Sequence, residues 1–295
     1  MGMRLGIDLG GSKIEIVALD NGSAELLRRR VPAPHGDYRA TLRAIAGLVE
    51  GAERELAQRG SVGVGIPGAE SRVTGLVKNA NSTWLIGQPL RRDLGSLLQR
   101  EVRIANDANC FALSEATDGA AAGAEVVFGV ILGTGVGGGI VAHGKVLAGA
   151  NAIAGEWGHN RMPGDEPVWP DCYCGRRGCV ETFLCGPGVQ RDHERVTGEL
   201  IAPSEIGARA AAGDVACTET LRRFEARLAR ALAGVVNILD PDVIVVGGGL
   251  SNLESIYENV PRLWGAHIFS DQAATRLLRN RHGDASGVRG AAWLW

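Results

Sequence analysis

The sequence predicts an α/β protein in two domains, and three observations carry that prediction. Apolar strand-like runs alternate with helical periods from Arg4 to Ala116. A strand, a glycine turn and a second strand occur near residue 1 and again near residue 126. The chain has 295 residues, enough for two hydrophobic cores rather than one small one.

The elements follow in order. Arg4 to Leu9 is an apolar run ended by Gly10-Gly11, and Ile14 to Leu19 is a second, so the pair reads as a hairpin. Leu26 to Val31 is a third strand. Tyr38 to Gln58 places Leu42, Ile45, Leu48, Val49, Ala52 and Leu56 at helical spacing. Ser61 to Ile66 is a buried-type strand stopped by Pro67-Gly68. Pro89 to Arg100 is a helix, Val102 to Ala105 a strand, and Ala108 to Ala116 a helix. The theme then restarts. Val126 to Leu132 and Gly137 to Ala142 form a second hairpin unit, which reads as a weak internal duplication. Thr218 to Leu239 is a long amphipathic helix, closed by Asp240-Pro241. Val243 to Val246 is a strand that runs into three glycines, and the tail from Gly287 to Trp295 is helical. The expected domains are 1–115, joined by the C-terminal helix 285–295, and 116–284.

Composition excludes several classes. A net charge of -2 with no basic block gives no nucleic-acid surface. No apolar run approaches the roughly 20 residues of a membrane helix. The N-terminus enters a strand at once and is not a signal peptide. Six cysteines in a chain of this length are not a disulfide framework, and the expectation is a reducing cytoplasm.

Three of those cysteines lie together. Cys172, Cys174 and Cys179 have the spacing C-x-C-x4-C, and His159 stands upstream. Three thiolates and an imidazole complete a tetrahedral Zn2+ set, so the zinc is expected to be structural. Glu156 and Glu181 bracket that set.

Glycine clusters follow three strands: Asp8 to Lys13, Gly133 to Gly139, and Gly247 to Gly249. Glycine lets the backbone turn sharply and present N–H groups to a phosphate, although a plain hairpin turn explains any one of them alone. Asp8 beside such a loop suits hydrated Mg2+, or simply caps the turn. Gly63-x-Gly65-x-x-Gly68 and Gly133-x-Gly135-x-x-Gly138 match a dinucleotide fingerprint literally, but lack its strand-turn-helix context. Gly139-x4-Gly144-Lys145 approaches a P-loop, but Val146 replaces the Ser/Thr and the span reads as hairpin.

Together, Asp8-Leu9-Gly10-Gly11-Ser12-Lys13, Leu132 to Gly139, Gly155-Glu156-Trp157-Gly158-His159 and Cys172 to Glu181 resemble the ROK family of repressors and sugar kinases, in order and over the full length. Lys78-Asn79-Ala80-Asn81-Ser82-Thr83-Trp84-Leu85, Asn106 to Cys110, Glu181-Thr182-Phe183 and Arg289 to Trp295 are most similar to its fructokinase, or manno(fructo)kinase, branch. The family's N-acetylglucosamine kinases look less alike around 78–85. The resemblance implies an actin/hexokinase-like (ribonuclease H-like) two-domain ATPase fold with an interdomain cleft. It implies ATP with Mg2+, its phosphates on Asp8, Gly10, Gly11, Ser12 and Lys13 and on Gly133, Thr134, Gly135 and Gly137. The nucleoside would lie near Gly247, Gly248, Gly249 and Leu250. A hexose would lie against Asn81, Asn106, Asp107, Glu156, His159 and Glu181, and a homodimer is expected. Three departures stand out: Ser12 for the usual Thr, Cys185 for a common Ser, and a short segment between His159 and Cys172.

In this reading Asp107 is the base that takes the hydroxyl proton. It falls where a helix starts, so the dipole lowers its basicity and its main task is to orient the hydroxyl. The alternative for Asp107 is a helix N-cap. Asn and carboxylate groups suit a polyol, because Asn both donates and accepts and a carboxylate accepts twice. His159 would bind metal through one nitrogen and a sugar hydroxyl or an orienting partner through the other. The resulting expectation is a fructokinase giving fructose 6-phosphate and also accepting mannose, with glucokinase or N-acetylglucosamine kinase as alternatives. A sugar-sensing repressor is more distant, because the first loop begins at Asp8 and leaves no room for a helix-turn-helix.

Overall fold

Strand pairing follows the glycine turns. The computed structural model describes residues 2–295. β1 (Arg4–Leu9) and β2 (Lys13–Leu19) form an antiparallel hairpin with Leu9 opposite Ile14, and the Gly10 N–H donates to Lys13 O at 3.0 Å to close the turn. β3 (Glu25–Pro32) pairs outside β2. α1 (Tyr38–Leu56) begins at Asp37, whose side chain accepts from the Ala40 N–H, and it buries Ile45, Leu48, Val49 and Ala52. β4 (Ser61–Ile66) then lies parallel to β1. A small hairpin of β5 (Ala69–Glu70) and β6 (Val77–Lys78) precedes α2 (Leu90–Leu98). β7 (Val102–Asn106) is parallel to β4 and leads into α3 (Asp107–Thr117). The first sheet has the order β3-β2-β1-β4-β7.

The second sheet repeats this plan, as the duplicated motif predicts. β8 (Val126–Leu132) is followed by β9 (Val136–Ala142), with β10 (Lys145–Val146) beyond. After α4 (Val180–Leu184), α5 (Gly186–Thr197), α6 (Pro203–Ala211) and α7 (Val215–Leu239), β11 (Val243–Gly247) returns parallel to β8. α8 (Ser255–Trp264) leads to β12 (Arg276–Arg279), parallel to β11. The sheet order β10-β9-β8-β11-β12 matches the first sheet strand for strand. His143 (φ 50°) and Gly144 (φ 72°) form the two-residue turn between β9 and β10, which is the hairpin expected there instead of a P-loop. α9 (Ser286–Ala292) ends the chain.

Two compact units result. Among the described residues, the first holds 2–123, 139–154 and 284–295, and the second holds 124–138 and 155–283. The boundaries expected from sequence put 139–154 in the second domain, but this segment packs with the first. One tie is the Lys78 ammonium, which donates to Asn151 O at 2.7 Å. Among the described residues no helix is long and apolar enough to cross a membrane.

The first unit closes on α9. This helix lies so near the sheet that a Cβ on Gly6 would stand 2.0 Å from Val288 O, and one on Gly63 would stand 1.9 Å from Ala291 O. Gly63, part of the literal dinucleotide fingerprint, is therefore a packing glycine. Side chains fasten the same helix: Arg289 pairs with Asp118 and donates to Ser23 O at 2.9 Å, and the Ser286 hydroxyl donates to the buried Glu115 at 2.8 Å.

Gly63→Ala should therefore destabilise the protein by about 1–3 kcal/mol, the scale of overpacking against backbone. Gly47→Ala, on the exposed face of α1 with no atom within 4 Å of the added Cβ, should stabilise it by up to about 1 kcal/mol. Calorimetric melting of the two variants should move in opposite directions.

Candidate active site

In the first unit, the phosphate-loop candidates surround the β1–β2 turn. Asp8 pairs across the hairpin with Glu15. The buried Glu15 carboxylate is held by Arg28 and by Arg30 Nε at 2.8 Å. Burial, and then the Glu15 carboxylate opposite, push the Asp8 carboxyl up from 3.8 to about 6; Lys13 and Arg30 oppose the shift without cancelling it. One carboxylate beside a tight glycine turn fits a hydrated Mg2+ next to phosphates.

Asn106, expected as a sugar contact, is the cap of α3. Its Oδ1 accepts from the N–H groups of Ala108 at 2.9 Å and Asn109 at 3.4 Å, and its Nδ2 donates to Gly68 O at 3.2 Å. Only its second amide proton is left for a ligand. The cap is thus Asn106 and not Asp107. Asp107 sits one residue into the helix, with Oδ1 accepting from the Ala108 N–H at 2.8 Å, so the helix dipole does act on it. Asn81 is exposed on the loop after β6.

In the second unit, Gly133 and Thr134 at the end of β8, with Gly249 and Leu250 after β11, line one cavity of about 1000 Å³. The opposite wall comes from α5, α6 and α7, including Gln190, Ser204 and Leu221. The three-glycine run turns through Gly248 at φ 83°. Gly135 has a different use. Glu181 Oε2 accepts from the Val136 N–H at 2.9 Å, and a Cβ on Gly135 would lie 2.8 Å from that oxygen. The glycine loop therefore binds a carboxylate as well as turning the chain. Glu156 is exposed at the start of the short 3-10 turn Trp157–His159.

The metal set assembles as the spacing predicts. The ligand atoms of His159, Cys172, Cys174 and Cys179 lie within 4.8 Å of one another. His159 Nδ1 faces Cys172 Sγ at 3.7 Å, while Nε2 meets the Tyr173 hydroxyl at 3.0 Å. Three thiols and one imidazole nitrogen fit Zn2+ with no position left over. The orienting partner of His159 is thus Tyr173, and its second nitrogen is already engaged here. Val180 N–H donates to Asn160 O at 2.8 Å, which ties α4 and its Glu181 to the metal segment. Sequence reasoning missed Tyr173, although its place between two ligands was the available signal. It also missed the α6 wall, for which no motif exists.

Comparison with known proteins identifies the family. A model of the ROK family matches residues 4–295. The chain is 42% identical over 300 residues to an N-acetyl-D-glucosamine kinase of Yersinia pseudotuberculosis serotype O:1b (strain IP 31758), covering 99% of this chain and 98% of the relative. It is 41% identical over 299 residues to an N-acetyl-D-glucosamine kinase of Vibrio atlanticus (strain LGP32), covering 99% of each. Among solved structures, a ROK hexokinase from Thermus thermophilus is similar with a TM-score of 0.87 and 33% identity, covering 99% of this chain and 97% of that one. A ROK family glucokinase from Streptomyces griseus, in complex with glucose and AMPPNP, is similar with a TM-score of 0.78 and 26% identity, covering 99% of both. The fold is thus actin/hexokinase-like. The chain belongs to the ROK family, and within it to the ATP-dependent sugar kinases.

Asp8 gives a test by pH. It is protonated in the fold below about 6 and in the unfolded chain only below 3.8. The ionised form is therefore a cost to the fold that grows as pH rises through that window and is complete above it. Asp8→Asn should raise the melting temperature at pH 7.5 and leave it nearly unchanged at pH 4. If Asp8 holds Mg2+, kcat/KM for MgATP in the wild type should fall about tenfold per pH unit below about pH 6.

Proposed function

We propose that this kinase transfers the γ-phosphoryl of ATP to the 6-hydroxyl of a free hexose, and that the hexose is N-acetylglucosamine. The observation that carries the choice of sugar is the full-length identity of 42% to an N-acetyl-D-glucosamine kinase. It displaces fructose, the sugar first expected, from the leading place. A second reading, fructose with mannose, is kept for one reason: Lys78 to Leu85 resembles the fructokinase branch more than the N-acetylglucosamine kinases.

Asp107 is the general base and orients the hydroxyl; its place in the first turn of α3 supports that role over a strongly basic one. Asn81, Asn106, Glu156, His159 and Glu181 are the sugar contacts. Asn106 would contribute a single amide proton, and His159 its Nε2 only on parting from Tyr173. Glu181 would offer the oxygen not bonded to Val136. The loops at Asp8–Lys13 and Gly133–Gly137 take the phosphates, and the cavity beside Gly247–Leu250 takes the nucleoside. Mg2+ at Asp8 would offset the charge of the phosphates. Zn2+ on His159, Cys172, Cys174 and Cys179 is structural, since its four positions are all filled by protein.

Two measurements test this. A coupled ADP-release assay over N-acetylglucosamine, fructose, mannose and glucose should give the acetamido sugar a kcat/KM at least about 10-fold above the others. A preference for fructose or mannose would establish the second reading. Asp107→Asn should lower kcat by about 100-fold or more with the fold intact; near-normal turnover would remove Asp107 as the base.

A further inference from the structure

Helix α4 is five residues long, too short to hold its own position, and it carries Glu181 in its first turn. Its N-terminal end follows Cys179, a metal ligand. No metal ligand lies at the other end, where Phe183 sits.

The segment between His159 and Cys172 turns inward at Glu166. The Glu166 side chain leaves it and is only 3% exposed. Its carboxylate accepts from Arg227 of α7 through Nε at 3.0 Å and Nη2 at 2.8 Å, and also from Arg230. Arg230 holds the same segment again through Pro163 O at 3.1 Å. The Arg227 guanidinium, 7% exposed, also meets Asp192 of α5 at 3.1 Å. Its carbon stands 5.3 Å from the centre of the Phe183 ring. Trp169, from the metal segment, meets the same ring edge-on at 6.2 Å.

One side chain therefore touches the metal segment, α4 and α5 at once. Only arginine can do so, because it combines a planar fork for carboxylates with a face that stacks on a ring. A buried ion pair of this kind adds little net stability, since desolvation offsets the attraction.

We propose that Arg227, held by Glu166 and Asp192, is a positioning residue for sugar binding: it braces the Phe183 end of α4, beside the Arg191 bond to Thr182 O, and so the place of Glu181. The candidate metal set borders one end of the helix, and the arginine packs on the other. This rests on the reading of Glu181 as a sugar contact.

The test uses the zinc-loaded protein and the variants Glu166→Gln, Arg227→Lys and, as reference, Glu181→Gln. Sugar affinity is measured without nucleotide by titration calorimetry, alongside KM for sugar and MgATP, kcat, and zinc content by atomic emission. Glu166→Gln and Arg227→Lys should each weaken sugar binding by about tenfold, the scale of loss when a supporting partner is removed. KM for MgATP should stay within about twofold, and zinc should remain at about one per chain. If Arg227→Lys fails to fold, Glu166→Gln, which keeps the shape of the side chain, carries the test. Unchanged sugar affinity in a folded, zinc-loaded variant would overturn the proposal. So would a loss of zinc in step with the loss of affinity, since the effect would then run through the metal. If Glu181→Gln leaves sugar affinity intact, the reading of Glu181 itself falls; if only that variant weakens binding, the positioning role of Arg227 alone falls.

Discussion

Close approach of backbone to backbone, possible only where Cβ is missing, is the constraint on which both units depend. In the first, α9 rests on β1 and β4 through Gly6 and Gly63, and a Cβ on Gly290 would stand 1.6 Å from Cys110 O. In the second, Gly135 lets Glu181 reach the amide of Val136. The abundance of glycine, 43 in the chain, thus has two causes that look alike in sequence. Some glycines make loops that a phosphate can approach, and others make faces that a helix can approach.

That ambiguity marks how far the sequence could be read. The hairpins, α1, α7 and the central strands were legible, because each has a clear period and a glycine or proline stop. The metal set was legible because ligand spacing is a local property. Other parts were hidden for physical reasons. β12 is four residues, Arg276–Arg279, with exposed arginines at both ends and no alternation to detect. α8 contains Pro261, which argues against a helix locally although the helix forms. Glu166 reads as one more loop carboxylate; that it turns inward is decided by Arg227 and Arg230, distant in sequence. Asn106 and Asp107 were assigned to the right helix start, but which of the two caps it depends on a rotamer, and no composition rule settles that.

Charge is handled oppositely in the two units. Asp8 and Glu15 face one another, and only Glu15 is fully satisfied by arginines. The unit thus keeps a carboxylate that is costly to ionise, because burial and Glu15 both oppose its charge. Glu166 and Asp192 are both saturated by arginine, and their cluster is at rest. These carboxylates differ in their arginine partners, and burial alone does not separate them.

The C-terminal helix has a consequence for synthesis. The first unit needs residues 284–295 to cover the glycine face of β1 and β4, whereas the second is complete at residue 283. On the ribosome, the usual rule that the N-terminal domain folds first is therefore reversed. β1 and β4 emerge with one face bare, and residues 284–295 must follow before that face is covered. A chain cut at residue 283 would keep the second unit whole and leave the first one open, an apolar sheet for chaperones and proteases to find.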